Sequence, residues 1–161
     1  MIIIGIDPGT AKMGWGVINA KKQKGKKNLD CLGSGFIKTS SSLAPAERLR
    51  ILYTELNRLI KKYRPSVLAI ESLYFFKNLK TALPVSQAKG VILLAAAKKK
   101  IPVYEFTPLQ VKMVVTGYGR AEKQQVQKMI KVLLNLDTVP KLDDAADALG
   151  VAICYAHTLR G

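Results

Sequence analysis

Four carboxylic acids stand at positions from which they could act together as one site. Asp7 and Glu71 each follow directly on a short apolar run of the kind that forms a buried strand. Asp144 and Asp147 lie three positions apart in an alanine-rich segment, and that spacing puts both side chains on one face of a helix. If the two strands are neighbours and the helix crosses their ends, all four carboxylates converge.

A cluster of this kind has a definite chemistry. Carboxylates held together without a counterion repel one another and retain protons. Divalent cations turn the same groups into an oxygen-rich site suited to Mg²⁺, which keeps several waters and binds phosphate oxygens, with Mn²⁺ as a substitute. One ion, or two ions about 4 Å apart, can activate a water and stabilise the leaving oxygen of a phosphodiester. The acids therefore predict metal-dependent phosphodiester hydrolysis.

Each acid also has a simpler interpretation. Asp7 could be an ordinary turn residue, and Glu71 could be a solvated strand end. Asp143 or Asp144 could merely cap a helix, and this role fits Asp143 better. Asp147 is hardest to explain in this way, because it falls inside an otherwise apolar helix. Taken together, in a chain so poor in acids, the four residues favour a site.

The charge of the chain is strongly positive. It has 26 Lys and Arg against 11 Asp and Glu, a net charge of +15, whereas a soluble domain needs only about 2–8 charges. Such an excess attracts the phosphates of nucleic acid or of an anionic membrane surface. A lysine-rich composition typical of thermophiles would explain part of the lysine count but not the imbalance of sign.

Other chemistries find little support in the composition. The two cysteines have no C-x-x-C spacing and His157 is the single histidine, so a zinc site or a Ser-His-Asp triad is not expected. The cysteine usage favours a reducing cytoplasm. No apolar run reaches transmembrane length, and residues 2–6 lack the features of a signal peptide, so no membrane association is expected.

The chain is expected to form a single domain over residues 1–161. Three strands joined by short turns come first, with residues 21–27 as a basic turn and the third strand broken at Gly33 and Gly35. The later elements are predicted in this order: a helix over 45–63, a strand over 67–70, a helix from Thr81 to 98 with Pro84 in its first turn, a strand over 101–106, a helix over 107–117 with a capping box, a helix carrying Val126 to Leu134, and a last helix from 143 or 144 to about 159. This order predicts an α/β fold, a mixed sheet with helices on both faces.

The acids belong to a series of motifs that resembles the RuvC-type Holliday junction resolvases, bacterial endonucleases of the RNase H-like superfamily. The motifs are IGIDPGT at 4–10, IESLYFFKN at 70–78, SQAKG at 86–90, QVK at 110–112, AEKQQVQ at 121–127 and DDAADALGVAI at 143–153. Each motif alone is modest, but their order and spacing are specific and they extend over nearly the whole chain. The run LKTALPV at 79–85 departs from the helical sequences expected there.

The resemblance implies a fold and roles for particular residues. The fold would be RNase H-like, a five-stranded mixed sheet with three antiparallel and then two parallel strands, flanked by helices on both faces. The four acids would be the catalytic metal ligands, with Asp144 an acid where some members have His. Tyr74 would be the base-stacking aromatic residue, and Lys112 and Lys123 would hold phosphates near the acids.

The segment after Glu71 has features of its own that suit DNA. Three consecutive aromatic residues, Tyr74 to Phe76, precede Lys77 and could stack on bases unpaired near a junction centre. Packing of one or two of these rings into the core is the alternative. Tyr74, Phe75 and Lys77 are therefore candidate DNA contacts. Weaker candidates are Lys80, Lys89 and Arg120.

The resemblance also implies a biological activity. A homodimer would nick two strands of like polarity in four-way DNA junctions, leaving 5′-phosphate and 3′-hydroxyl ends, in recombination and repair. A branch-migration helicase complex would be its partner. The helix around Gly90 is rich in small residues and is the candidate dimer interface, with packing against the sheet as the alternative.

Three alternative functions share parts of this pattern. An actin-like ATPase fragment would have the same opening D-x-G-T, but a second such domain does not fit in 161 residues. An RNase H-like nuclease acting on ribosomal RNA precursors shares the opening but is not expected to have SQAKG and AEKQQVQ. A non-catalytic junction-binding protein would suit the net charge, but four clustered acids would then repel the DNA.

Overall fold

A computed structural model describes residues 1–23, 26–72, 79–140 and 143–158. Its elements are β1 (Ile2–Asp7), β2 (Lys12–Gln23), β3 (Lys26–Lys38), α1 (Pro45–Tyr63), β4 (Val67–Glu71), α2 (Leu79–Lys98), β5 (Val103–Phe106), α3 (Pro108–Thr116), α4 (Lys123–Leu133) and α5 (Asp143–Thr158). The predicted succession of strands and helices is confirmed. Within these residues no helix combines the length and the apolar character needed to cross a bilayer.

The sheet has the strand order β3-β2-β1-β4-β5. The first three strands pair antiparallel, and β4 and β5 add to β1 in parallel. This is the predicted five-stranded mixed sheet. In the parallel pair Ile6 lies opposite Ile70. Asp7 and Glu71, the last residues of these two strands, therefore lie side by side at the same edge of the sheet.

Helices cover both faces of the sheet, as predicted. Helices α1 and α2 pack on one face, where Leu56 and Ile92 join Ile4 and Ile6 of β1. Helices α3, α4 and α5 pack on the other face, where Leu149 belongs to the same buried cluster as the remaining side of β1. Strand β1 is thus buried on both faces, and this explains why its sequence is apolar at nearly every position.

Helix α5 lies unusually close to the sheet because glycines leave room for its backbone. A Cβ atom at Gly5 would collide with the carbonyl oxygen of Ala148, and one at Gly14 with the carbonyl oxygen of Asp144. At Gly16 the same atom would meet the side chain of Leu149 at 2.7 Å. Strands β1 and β2 therefore form a seat for the first half of α5.

The hairpin between β2 and β3 is longer than predicted. Residues 21–27 were expected to form a basic turn, but β2 continues to Gln23 and β3 starts at Lys26. The expectation was wrong because a run of lysines is polar without being a turn signal. The backbone pairing of β2 with β3 therefore continues through most of this lysine run.

The third strand is continuous, although a break at its glycines was expected. Gly33 and Gly35 stay within β3 and leave space that the rings of Tyr63 and Trp15 occupy. The irregularity is instead a bulge, because Leu32 has no partner where the pairing shifts register. The glycines thus serve close packing and not chain reversal.

Helix α2 starts earlier than predicted. It begins at Leu79, so Thr81 is its third residue and not its cap, and Pro84 is its sixth residue and lies beyond the first turn. A proline there removes one backbone hydrogen bond and normally breaks a helix. The buried face of α2, which includes Ala88 and Ile92, offsets that cost by packing on the sheet.

Other boundaries agree with the sequence closely. Helix α1 matches its predicted range, and α3 begins with the predicted capping box between Thr107 and Gln110. Strand β5 begins at Val103 and not at residue 101. The reason is that the Ile101 N–H donates to the carbonyl of Ala96 and so closes the end of α2.

Candidate active site

Asp7 and Glu71 are partly buried at the ends of two neighbouring parallel strands. Burial is the main cause that raises the pKa of Asp7 from 3.8 to about 8, and repulsion by Glu71, Asp147 and Asp144 adds to it. Burial likewise raises the pKa of Glu71 to about 7, helped by Asp147 and opposed by a hydrogen bond with Asp7. The two carboxyl groups are thus held where their charge is poorly stabilised.

Helix α5 brings the other two acids to the same place. Its first half rests on the glycines of β1 and β2, and Asp144 and Asp147 both act electrostatically on Asp7. The pKa of Asp147 is raised, chiefly by burial, although Lys123 opposes the shift. The structure therefore brings Asp144 and Asp147 within electrostatic range of Asp7, and a single metal site formed by the four acids stays a prediction.

Asp143, the first residue of α5, has a different environment from the four candidate acids. Asp143 exposes 61% of its side chain, and its Oδ2 lies 3.1 Å from the Nζ of Lys123. Its Oδ1 accepts a hydrogen bond of 2.8 Å from Nε2 of Gln127. The hydrogen bond from Lys123 is the main cause that lowers the pKa of Asp143. This acid supports the lysine and does not belong to the cluster.

Lys123 connects the acids to helix α4, of which it is the first residue. Its Nζ also lies 3.8 Å from Oδ2 of Asp147. Burial acts to lower the pKa of Lys123, but its hydrogen bond with Asp143 and the carboxylates of Asp147 and Asp144 outweigh this effect and raise the pKa. The lysine thus stays charged beside the cluster.

Lys112 reaches the acids from helix α3. The helix is fixed at its start by the Thr107 capping box and at its end by Gly117 in a left-handed conformation. Val111 and Val115 are buried on one side of α3, and Lys112 lines the cleft beside them. The charge of Lys112 is one of the influences that lower the pKa of Glu71.

Two of the acids, Glu71 and Asp147, share a cleft of about 320 Å³ with the two lysines. Its lining consists of Glu71, Pro108, Val111, Lys112, Lys123, Val126, Asp147 and Gly150. The lining combines apolar residues with charged residues of both signs. A phosphate with a bound cation would satisfy both kinds of charge.

The donor set fits a hard divalent cation. All four acids offer oxygen ligands, and burial followed by mutual repulsion raises the pKa values of Asp7 and Glu71, so a bound cation would stabilise their charged forms. In the described ranges, no three Asp, Glu, His or Cys side chains are already arranged to hold one ion. The carboxylates would have to turn toward a cation on binding it.

Several predicted DNA contacts cannot be compared with the structure. Tyr74, Phe75 and Lys77 lie outside the described residues, between β4 and α2. Of the weaker candidates, Lys89 forms an ion pair of 2.7 Å with Glu105, which accounts for its position without DNA. Arg120 is exposed near the start of α4.

The sequence analysis missed the residues that seat α5. Gly5, Gly14 and Gly16 contribute no ligand, yet their missing side chains let the helix approach closely enough to present Asp144 and Asp147. A signal was available, because glycines inside an apolar strand often mark the close approach of another backbone. Nothing in the sequence told which element would approach.

Taken together, the strand order and the acids at the ends of β1 and β4 and in α5 define an RNase H-like domain with a carboxylate cluster. The family model described as crossover junction endodeoxyribonuclease RuvC matches residues 3–155. The chain belongs to this family. The family is the one that the motifs suggested, and it argues against both the ATPase fragment and the ribosomal RNA nuclease.

Similar proteins support the same assignment over the full length. Crossover junction endodeoxyribonuclease RuvC of Alkaliphilus oremlandii is 54% identical over 158 residues, which cover 98% of this chain and 94% of the relative. The structure of Thermus thermophilus RuvC matches with a TM-score of 0.91 at 32% identity, covering 99% of this chain and 96% of the other. T. thermophilus RuvC in complex with a Holliday junction substrate matches with a TM-score of 0.93 at 32% identity, covering 99% and 95%.

Proposed function

We propose that this protein is a structure-selective endodeoxyribonuclease that resolves four-way DNA junctions. It nicks two strands of like polarity symmetrically and leaves 5′-phosphate and 3′-hydroxyl ends, in homologous recombination and DNA repair. The observation that carries the proposal is the cluster of four acids beside two lysines, in a chain of the RuvC family. The choice of a four-way junction as the substrate is supported by the similar structure of T. thermophilus RuvC, which is in complex with a Holliday junction substrate.

The four acids are the proposed ligands of Mg²⁺ or Mn²⁺, one or two ions in each subunit. Bound there, the cation supplies Lewis acidity toward the attacking water and the leaving oxygen. Asp7 and Glu71 are positioned by adjacent strands, and Asp144 and Asp147 by a helix seated on those strands. A site built on rigid elements keeps its ligands in place during the reaction.

The two lysines are proposed to hold the substrate. Lys112 and Lys123 lie in the same cleft as Glu71 and Asp147 and can donate hydrogen bonds to the non-bridging oxygens of the phosphate. Lys123 is oriented by Asp143, which lies outside the acid cluster. Aligning the phosphate with the acids supplies part of the rate enhancement by orientation.

The outer face of α2 is the proposed homodimer interface. Leu83, Leu93 and Leu94 expose 67%, 38% and 55% of their surface. A Cβ at Gly90 would meet nothing within 4 Å. The buried small residues of α2, namely Ala88, Ala95 and Ala96, pack instead against the sheet. A two-fold dimer formed through the outer face would match the two-fold symmetry of the junction.

The remaining parts of the proposal rest on the resemblance to the family. The chain acts as one nuclease domain in the cytoplasm, and a branch-migration helicase complex is its partner. Tyr74 and Phe75 stack on bases unpaired at the junction centre, and Lys77 contacts the backbone beside them.

A cleavage assay tests the proposed function directly. The protein is incubated with a labelled mobile junction, a plain duplex and an RNA hairpin, each with and without Mg²⁺. We expect paired symmetric nicks in the junction alone and only with the metal. Cleavage of the RNA hairpin in preference to the junction would contradict the proposal. Binding to the junction is measured alongside, so that a failure to cut can be told from a failure to bind.

A further inference from the structure

A second cavity lies at the same end of the sheet as Asp7, on the side of helix α1. It has a volume of about 580 Å³ and is lined by Ala11, Lys12, Lys38, Thr39, Ser40, Ser41 and Arg48. We call it the Lys12–Arg48 cavity. Three of its side chains are cationic and three carry hydroxyl groups, so its lining offers hydrogen-bond donors without a carboxylate.

The strand pairing and one buried hydroxyl bring these groups together. Lys12 and Lys38 are directly opposite each other in the β2–β3 pair. Thr39 is only 5% exposed. Its hydroxyl donates to the carbonyl of Thr10 and accepts a hydrogen bond of 2.9 Å from Nε of Arg48. The guanidinium is therefore fixed at the wall of the cavity.

The cations of the cavity, Lys12, Lys38 and Arg48, have no carboxylate in direct contact among the described residues. Like charges directly opposite in a strand pair destabilise it. The acid of the first turn of α1, Glu47, is paired with Arg50.

Lys12 is partly compensated by the ring of Phe36, 5.5 Å from its Nζ, and by the charge of Asp143. No carboxylate of the described residues pairs with Lys38 or Arg48, so an anion in the cavity would stabilise the arrangement.

The orientation of α1 adds to the positive field. The helix begins at Pro45, close to Ser40, Ser41 and Arg48 in the chain, and its N-terminal end carries partial positive charge. The Ala44 cap supplies no side-chain hydrogen bond to the first turn. Cations beside the positive end of a helix cannot be explained as compensation for its dipole.

The cations of another basic cavity, by contrast, have a structural explanation. It has a volume of about 420 Å³, and Lys61, Arg64 and Lys99 are among its lining residues. These cations stand at the C-terminal ends of α1 and α2, where partial negative charge favours them. Dipole compensation accounts for that cluster, and it does not account for the Lys12–Arg48 cavity.

The Lys12–Arg48 cavity is also joined to the turn that follows Asp7. The N–H of Thr39 donates to the carbonyl of Ala11 at 3.0 Å, and its hydroxyl donates to the carbonyl of Thr10. Asp7 pairs with Gly14, two residues beyond Lys12. A polymer bound at the acids would reach the cavity by passing across this turn.

We propose that the Lys12–Arg48 cavity binds a second backbone phosphate of the DNA strand whose neighbouring linkage is cut at the acids. The proposal rests on the proposed function, because it takes junction DNA as the ligand. Lys12, Lys38 and Arg48 neutralise the phosphate, and the hydroxyls of Ser40 and Ser41 donate to its oxygens. These are positioning residues, since they set the register of the strand and take no part in the chemistry.

The first test compares two double variants that remove equal charge. Lys12→Gln with Lys38→Gln empties the Lys12–Arg48 cavity of two cations, and Lys61→Gln with Lys99→Gln does the same at the other basic cavity. All four lysines are exposed, so both variants are expected to fold, and thermal melting checks this. We measure junction affinity without divalent metal over a range of salt.

The K12Q/K38Q protein should bind about tenfold more weakly. Its slope of log affinity against log salt should be smaller in magnitude by about 1, which corresponds to one lost phosphate contact. The K61Q/K99Q protein should keep the wild-type slope. Equal slopes in the two variants would overturn the proposal, because net charge alone would then explain the binding.

The second test identifies the phosphate. Single linkages of the junction strand near the cut are replaced one at a time by uncharged methylphosphonates. In wild-type protein, replacing one particular linkage beside the cleaved one should weaken junction binding. In K12Q/K38Q the same replacement should have little further effect on binding. Effects that add at every linkage would contradict the proposal, since an anionic group of another kind, such as an acidic protein segment, would then be the occupant.

These measurements separate the cavity from the proposed function. Both are binding experiments without divalent metal, so they do not depend on cleavage. If the wild type fails to cut junctions but shows the coupling between lysines and one linkage, the cavity assignment stands and the proposed activity falls. If the wild type cuts junctions and no linkage is coupled, the cavity assignment alone is wrong.

Discussion

The two ends of the sheet deal with charge in opposite ways. At the end reached by β1 and β4, burial and repulsion raise the pKa values of Asp7 and Glu71 to about 8 and about 7. At the other end, Arg64 and Lys99 follow the last turns of α1 and α2, where the helix dipoles stabilise them. Of these two ends, the one at Asp7 and Glu71 holds charge that a ligand could compensate.

The end of the sheet at Asp7 and Glu71 carries groups of both positive and negative charge. At the acid cluster, Lys112 and Lys123 do not offset the effects of burial and repulsion on the pKa values of Asp7 and Glu71, and the lining of the Lys12–Arg48 cavity contains no carboxylate. A nucleic acid strand with its divalent cations brings charges of both signs. The comparison of the two ends thus predicts two kinds of effect. Substitutions of charged residues at the acid end should reduce activity while raising the stability of the fold, whereas substitutions at the other end should change stability alone.

The strongest test of the comparison is Asp7→Asn. Loss of one carboxylate from the proposed metal site should reduce junction cleavage by about a thousandfold or more, because the bound metal would lower the activation free energy by several kcal/mol. Junction binding should be retained or become tighter, since a negative charge is removed. Gel-shift and nicking assays on one junction measure both. Asp30→Asn, at a half-buried acid paired with Lys21, is the matched control, and wild-type cleavage by Asp7→Asn would refute the site.

A second test acts on the seat of α5 without touching a charged group. In Gly14→Ala the new methyl group meets the backbone carbonyl of Asp144, so the helix must shift. Overpacking of this kind costs about 1–3 kcal/mol, and cleavage should fall at least tenfold because Asp144 and Asp147 move with the helix. Thermal melting and single-turnover cleavage report the two effects.

The control for Gly14→Ala is Gly90→Ala, whose new methyl group has open space within its own chain. Alanine is favoured over glycine inside a helix by about 1 kcal/mol. At a protein concentration low enough to keep the chain monomeric, the melting temperature of Gly90→Ala should therefore not decrease. If Gly14→Ala were as stable and as active as wild type, the glycine seat would have no bearing on the site.

The glycine seat also shows how far the sequence could be followed. Asp7 and Glu71 were predictable, because an acid directly after an apolar run is a local pattern. The seat depends on which helix approaches the strand, and that is decided by packing over long distances along the chain. Likewise Lys12, Lys38 and Arg48 look like solvated residues until the strand pairing and Thr39 bring them together.

Pro84 is a position where a local sequence rule gave a wrong helix boundary. A local rule placed it in the first turn of α2, because proline is tolerated there and penalised later. The structure extends the helix to Leu79, since the buried face formed by Ala88 and Ile92 outweighs the lost hydrogen bond. Local rules failed in this chain where tertiary packing supplied the larger energy.

A third test uses pH in the absence of metal. The folded protein raises the pKa of Asp7 from 3.8 to about 8 and that of Glu71 from 4.5 to about 7. Between these values the folded state keeps protons that the unfolded chain has released, so stability should fall as the pH rises through this window. Melting temperatures at pH 5 and pH 9 in chelator measure the effect.

In Asp7→Asn the same comparison should show a smaller fall, and its melting temperature at pH 9 should exceed that of wild type by several degrees, at about 2–4 °C for each kcal/mol. Added Mg²⁺ should stabilise wild type at pH 9 more than the variant, since the cation replaces the protons. A wild-type protein that is equally stable at both pH values without metal would mean that the acids are not strained.

The smallest effects should separate the two ends by their sign. Lys99→Gln removes a cation from the C-terminal end of α2 and should lower stability by about 0.3–1 kcal/mol at low salt. Lys38→Gln should instead raise stability by about 0.2–1 kcal/mol, because it relieves repulsion with Lys12 in the strand pair. Denaturant titrations at low and high salt measure both changes, which should shrink together as salt screens the charges. If both substitutions were destabilising, the cations at the acid end would be structural as well, and their arrangement would no longer call for an anion.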